Sequence, residues 1–283
     1  NGNYQLPFTR FTMSLTLTSL LGIPLIRHGD NLADIVLNSL RENKITLEDN
    51  DIFVLAQKIV SKSEGRTINL ATVMPSQRAI ELAKQTEKDP RVVELILQES
   101  NEVLRTRVGA IIVEHKLGFV CANAGIDHSN VNPPLALNGA LAETKRGDAL
   151  GVRSEDWVLL LPAEPDRSAE KMRADIESKT AKRIGILIID SHGRAWRNGT
   201  VGVAIGIAGI PGLEDLRGRP DLFGFKLQVT TVGVADELAA AASLMMGQAA
   251  EGTPVVHVRG FPYPLREASM KELIRPKEQD LFR

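Results

Sequence analysis

The chain has 283 residues, of which 43% are hydrophobic and 24% charged, and a formal net charge of −1. This is the make-up of a globular protein with room for a large core, and its near-neutrality gives no general attraction to nucleic acid or an anionic membrane surface. No stretch of about 18 uncharged apolar residues is present, so no membrane-spanning helix is expected. The lone Cys121 leaves no internal disulfide and no thiolate zinc site, and it fits a reducing, cytoplasmic setting.

In chain order, residues 1–13 read as a tag or N-terminal extension, with Met13 the candidate natural start, and residues 14–283 as one domain. Residues 14–26 suggest a strand interrupted by Pro24, whose missing amide hydrogen suits a sheet edge or a loop lining a cleft. Asp30 or Asn31 is placed to cap a helix over 32–42, with Leu32, Ile35, Val36 and Leu40 on one face. Ile52–Ala56 predict a buried strand running into Gln57–Arg66. Lys58, Lys62 and Arg66 there supply cations, and Ser61, Ser63 and Gly65 supply small donors. The stretch reads either as a phosphate-binding surface or as a solvated basic loop, and it is not a P-loop.

Residues 76–104 predict one or two helices, with Ser76 as a cap, Pro90 at a second start and Glu94, Glu99 and Glu102 on a solvated face. Ala110–Val113 and Phe119–Ala122 read as a hairpin with His115 in its turn, followed by the polar stretch Asn123–Asn130. Residues 132–157 lack periodicity and read as a long loop insert. Val158–Leu161 resume the fold, and Ser168 is placed to cap a helix ending near Thr180. The apolar run Ile184–Ile189 predicts a buried strand that stops at Asp190, where Ser191, His192, Gly193, Arg194 and Arg197 follow at once. Val201–Ile210 and Lys226–Val234 read as strands. An alanine-rich helix then runs from Ala235 to about Met246, with Asp236 and Glu237 near its start as caps and Met245 and Met246 as core filler. Gly247–Thr253 form a small-residue loop before a last strand, Pro254–Val258, and a polar tail. The pattern is α+β, with mixed and antiparallel sheets and flanking helices.

Four polar stretches therefore follow apolar ones: Gln57–Arg66, Asn123–Asn130, Asp190–Arg197 and Gly247–Thr253. Asp127, Asp190, Ser191 and Gln248 offer the oxygen ligands that Mg²⁺ or Mn²⁺ prefer. His128 and His192 beside these aspartates offer a different, imidazole-containing set, and spacing alone does not show which groups meet.

The blocks Gln57-Lys58-Ile59-Val60-Ser61-Lys62-Ser63-Glu64-Gly65-Arg66, Asn123-Ala124-Gly125-Ile126-Asp127-x-Ser129-Asn130-Val131, Asp190-Ser191-x-Gly193-Arg194-x-x-Arg197-x-Gly199 and Val234-Ala235-Asp236-Glu237-Leu238-Ala239 occur in this order. Together they resemble the signature blocks of the coenzyme F420-0:L-glutamate ligase family, a likeness running from about Gly22 to Arg283. The resemblance implies a GTP-dependent ligase that adds L-glutamate to a deazaflavin coenzyme through an acyl phosphate. It further implies an intertwined homodimer and two divalent ions, Mg²⁺ or Mn²⁺, with room for K⁺. Carried over block by block, Asp127 and Asp190 would hold one ion, and Ser191 with Gln248 the other. Ile23, Pro24, Leu25, Ile26, Gln57, Lys62 and Asn130 would contact GTP, together with Gly247, Gln248, Ala249, Ala250, Glu251, Gly252 and Thr253. Lys62, Arg194 and Arg197 would offset phosphate or carboxylate charge. A folate-like or other carboxylate acceptor, or a metal-dependent phosphohydrolase, is the alternative. Two departures from the family pattern are the long 132–157 insert and Gln248, at a position where some members carry Glu.

Overall fold

The computed structural model describes residues 14–131 and 156–282. The N-terminal extension and nearly all of the expected 132–157 insert lie outside these residues. The chain is built on a five-stranded sheet of order β1-β12-β2-β8-β9, comprising β1 (Thr16–Ser19), β2 (Ile52–Ala56), β8 (Gly185–Arg194), β9 (Arg197–Ala208) and β12 (Val255–Arg259). Strands β2 and β8 pair in parallel, and the other neighbours pair antiparallel. The C-terminal ends of β1, β2 and β8 therefore lie at one end of the sheet, beside the N-terminal end of β12.

Both faces of this sheet are covered, so its central strands are apolar in nearly continuous runs. On one face Phe53, Leu55, Ile186 and Ile188 pack against α1 (Leu32–Glu42) and α5 (Pro165–Thr180). On the other, Val54, Leu187 and Ile189 pack against α6 (Val234–Met246) and against Leu265 and Met270 of the tail. A third cluster joins α3 (Gln77–Thr86) and α4 (Pro90–Gln98) to the smaller sheet of β4 (Ser100–Arg107), β5 (Ala110–His115) and β6 (Val120–Ala122). Phe119 packs against all three clusters and so ties the small sheet to the large one. β3 (Thr67–Asn69) pairs with β7 (Trp157–Leu159), and β10 (Glu214–Asp215) pairs with β11 (Thr231–Val232).

The helix over 32–42 forms as expected, with Asn31 as its cap: the Asn31 side chain accepts from the Asp34 amide. Other expectations are corrected. Gln57–Ser63 form a short helix, α2, not a loop. The helical reading of 76–104 ends at Gln98, because Ser100–Arg107 pair with β5. α5 begins at Pro165, in the first-turn position that proline favours, so Ser168 is inside the helix and is not its cap. β8 does not stop at Asp190 but continues to Arg194 in a hairpin with β9. Within Lys226–Val234 only Thr231–Val232 are strand. Asp236 makes no cap; it accepts from the Ala204 amide of β9 instead. Met246 is buried and Met245 is 43% exposed. His115 is 3% exposed and sits at the end of β5, not in the open turn.

Candidate functional site

The shared end of the large sheet carries the site. Ala56 of β2 pairs with Ile189 of β8, so the next residues, Gln57 and Asp190, emerge side by side. Asp127 arrives from the small sheet by another route. After β6 the chain makes a tight turn, with Asn123 and Ala124 at positive φ, and Asp127 then pairs with Leu159 through two backbone hydrogen bonds of 3.0 and 2.9 Å. This bridge fixes the Asp127 backbone beside α2.

The Asp127 carboxylate accepts from Gln57 Nε2 at 3.0 Å and lies 3.5 Å from Lys58 Nζ. Gln57 is 1% exposed, and its other amide atom accepts from Ser61 Oγ one helical turn along. Burial pushes the Asp127 carboxyl above its ordinary range. The Lys58 ammonium and the Gln57 amide pull it down, and the nearby Asp190 carboxylate raises it further. Two carboxylates partly withdrawn from water are thus close enough to repel each other, an arrangement that a cation relieves. Asp190 Oδ2 lies 3.0 Å from His192 Nε2 on the same face of β8.

Ser191 points to the opposite face of β8, where its hydroxyl donates to Gln248 Oε1 at 2.9 Å. Gln248 Nε2 donates in turn to Ser243 Oγ of α6 at 3.0 Å. The two proposed pairs, Asp127 with Asp190 and Ser191 with Gln248, are therefore both brought together, on opposite faces of one strand. Among the described residues no group of three His, Cys, Asp or Glu is placed to hold a metal. The donor set is instead two carboxylates, a hydroxyl and an amide oxygen, all hard oxygen ligands suited to Mg²⁺ or Mn²⁺. His128 and His192 do not pair: His128 faces Lys88 and Asp89, whereas His192 joins Asp190.

Cationic and loop elements close around this centre. Lys58 Nζ donates to Ser129 Oγ at 2.8 Å, and Lys62 Nζ to the Asn130 carbonyl at 2.7 Å. Burial, reinforced by Lys58, lowers the Lys62 ammonium pKa. Asn130, at a positive φ of 57°, donates from its side chain to the Ala249 carbonyl at 3.2 Å. That bond joins the Asp127 block to the Gly247–Thr253 loop. The loop is held by its own contacts, from the Ala249 amide to Glu251 Oε2 and from Thr253 Oγ1 to the Met246 carbonyl. Residues 20–29 run from the end of β1 past the C-terminus of α1, where the Asn43 side chain donates to the Leu21 carbonyl, to α2, where the Gly29 amide donates to the Ser63 carbonyl. Within this run Ile26 is buried, while Pro24 and Leu25 are exposed.

Arg194 and Arg197 are not part of this cluster. They face each other at the tip of the β8–β9 hairpin, fully in solvent. Four residues of strand put Arg194 roughly 13 Å from Asp190. Lys58, which the carried-over site omits, belongs to the cluster. Its four-residue spacing from Lys62 was the available signal, since on a helix that spacing puts both ammoniums on one face.

The family model for F420-0:gamma-glutamyl ligase matches residues 21–260. A coenzyme F420:L-glutamate ligase of Methanothermobacter thermautotrophicus is 44% identical over 273 residues, covering 96% of this chain and 100% of the relative. Another of that name from Methanococcus maripaludis (strain C6) is 46% identical over 265 residues, 93% of this chain and 95% of the relative. A third, from Archaeoglobus fulgidus, is 41% identical over 262 residues, 93% of this chain and 94% of the relative. By this family match and these relatives, the chain belongs to the F420-0:gamma-glutamyl ligase family.

Proposed function

We propose that the protein is a GTP-dependent ligase that joins L-glutamate to the carboxylate of F420-0, releasing GDP and phosphate. The observation that carries this reading is that the Asp127 carboxylate, held by Gln57 and 3.5 Å from Lys58, lies near enough to Asp190 to feel its charge, with Lys62 one helical turn beyond Lys58. That is the charge pattern phosphoryl transfer requires, with acidic oxygens for divalent ions and ammoniums for phosphate.

Asp127 and Asp190 would hold one Mg²⁺ or Mn²⁺, and Ser191 with Gln248 the other. When bound, an ion at the Asp127–Asp190 pair would neutralise phosphate charge, while one at Ser191 and Gln248 would lie apart from it on the other face of β8. Lys62 places its ammonium on the Asn130 carbonyl and is available to a phosphate oxygen. Gln57 keeps the Asp127 carboxylate oriented, and the Asn130–Ala249 bond keeps the Gly247–Thr253 loop over the same space. The acceptor carboxylate attacks the γ-phosphate to give an acyl phosphate, and the glutamate amine then displaces phosphate. The guanine preference and the use of K⁺ follow from the family resemblance. So does the homodimer, which the exposed Leu222, Phe223, Phe225 and Val229 also favour. Arg194 and Arg197, at the hairpin tip, would act on the phosphate or substrate charge of a partner's site in such a dimer.

The test is incubation of purified protein with GTP, Mn²⁺ or Mg²⁺, glutamate and F420-0, followed by mass spectrometry. The expected product is the acceptor carrying an added glutamyl residue, with GDP release dependent on both co-substrates. GTP hydrolysis that ignores acceptor and glutamate would favour a phosphohydrolase. Glutamylation of a folate-like acceptor alone would move the assignment to that substrate.

A further inference from the structure

A cleft of about 270 Å³ is lined in part by His192, whose Nε2 lies 3.0 Å from Asp190 Oδ2. Its walls are the Gly118–Val120 turn, the base of the β8–β9 hairpin, the start of α6 and the tail segment carrying Met270, Leu273, Ile274, Arg275 and Asp280. Three charged side chains line it: Asp236, Arg275 and Asp280. Asp236 has one oxygen on the Ala204 amide at 2.9 Å, and its second oxygen has no hydrogen-bond partner among the described residues. Arg275 is exposed and makes no ion pair with any described residue. Burial raises the Asp236 carboxyl above its ordinary range, with His192 opposing the shift.

We infer that this cleft is the subsite for the incoming amino acid, with Asp236 facing its ammonium and Arg275 a carboxylate. The inference rests on the ligase reading above and adds to it the place where the nucleophile waits. A zwitterion needs an anchor of each sign, and the cleft supplies both, the Asp236 and Asp280 carboxylates and the Arg275 guanidinium. Size argues the same way. Pockets for drug-sized ligands run to about 300–1,000 Å³, and a cleft of about 270 Å³ has room for an amino acid. Position completes the argument: His192 lines the cleft and touches Asp190, so one imidazole separates the subsite from the proposed phosphoryl-transfer centre. Phe119 forms an apolar wall, its ring centroid 5.3 Å from that of His192.

Asp236→Asn and Arg275→Gln test this. Asparagine retains an oxygen for the Ala204 amide, so the fold is kept while the charge is removed; circular dichroism and thermal unfolding check that. Steady-state kinetics with wild-type and variant proteins should show KM for glutamate raised tenfold or more in each variant, with KM for GTP within about twofold. An unchanged KM for glutamate in both, or equal rises for every substrate, overturns the subsite and leaves the ligase standing. Calorimetric titration of glutamate into protein holding GDP and Mn²⁺ separates the two readings. If wild-type protein makes no glutamylated product but binds glutamate, and both variants lose that binding, the subsite stands without the ligase. Glutamate binding that both variants retain overturns it.

Discussion

Gln57 and Asp127, 70 residues apart in sequence, are joined by a 3.0 Å hydrogen bond in which the buried amide steers the carboxylate. The second amide atom accepts from Ser61, so the side chain cannot turn without losing both contacts. Gln57→Leu keeps the volume and removes both. It is expected to cost about 1–3 kcal/mol in urea unfolding, the usual penalty for stranding buried polar partners. Turnover should fall tenfold or more, with Mn²⁺ affinity weakened in parallel. Turnover at the wild-type level would remove Gln57 from the orientation of Asp127.

The opposite end of the sheet carries a purely structural ion cluster. Asp51, 1% exposed, accepts from Arg259 through two bonds of 2.9 and 2.7 Å and from the Glu48 amide at 2.8 Å, and His257 Nε2 lies 2.9 Å away. Burial alone would raise its pKa, but these donors outweigh it and hold the carboxyl at about 2. The folded pKa is below the unfolded one, so the stabilisation is complete above about pH 4 and is lost as pH falls toward 2. Denaturant curves at steps across that window should show wild type losing about 2 kcal/mol relative to Asp51→Asn. Parallel pH curves for the two proteins would contradict it.

His115 gives a readout of the join between the sheets. Burial first, then the charges of Arg66 and His192, lower its pKa to about 4. Its Nδ1 accepts from the Leu117 amide at 3.0 Å, so the proton of the neutral ring is on Nε2. NMR titration should find one imidazole that stays neutral from pH 8 down to about 5, with stability rising as pH climbs from about 4 to 6.5. A His115 resonance titrating near 6.5 would place the ring in solvent.

Gly206 of β9 lies against the first turn of α5, and a Cβ there would meet the Pro165 backbone at 2.6 Å. Backbone cannot yield as a flexible side chain does, so Gly206→Ala should cost about 1–3 kcal/mol. Gly193, further along the same hairpin, meets nothing within 4 Å, and Gly193→Ala should change stability by less than about 0.5 kcal/mol. Thermal unfolding of the two variants side by side decides this; equal losses would mean that strand and helix can separate at little cost.

Where one period dominated, the sequence was legible. The 32–42 helix and the Ile52–Ala56 and Ile184–Ile189 strands follow from apolar spacing that a two-faced core imposes. Asp190 to Arg194 were not recognisable as strand, because an exposed hairpin arm is held by its partner's backbone and places no apolar demand on its side chains. α2 was hidden for a related reason: seven residues with the adjacent pair Ile59 and Val60 show no helical period. In the site, oxygen-rich chemistry was visible in Asp127, Asp190, Ser191 and Gln248, but neither their division between two faces of β8 nor the grip of Gln57 on Asp127 was. Those facts depend on register and on contacts between distant segments. The cleft at Asp236 went unseen because Arg275 lies in a tail that reads as simply polar.

The parallel pairing of β2 with β8 also bears on how the chain folds. Ala56 and Ile189 are neighbours in the sheet but roughly 130 residues apart in sequence, and closing so distant a contact is slow. Hairpins such as β4–β5 and β8–β9 can zip locally long before then. Gln57 and Asp190 meet only once that long closure is made, so binding competence should be the last property to return on refolding, after most helical signal is already restored.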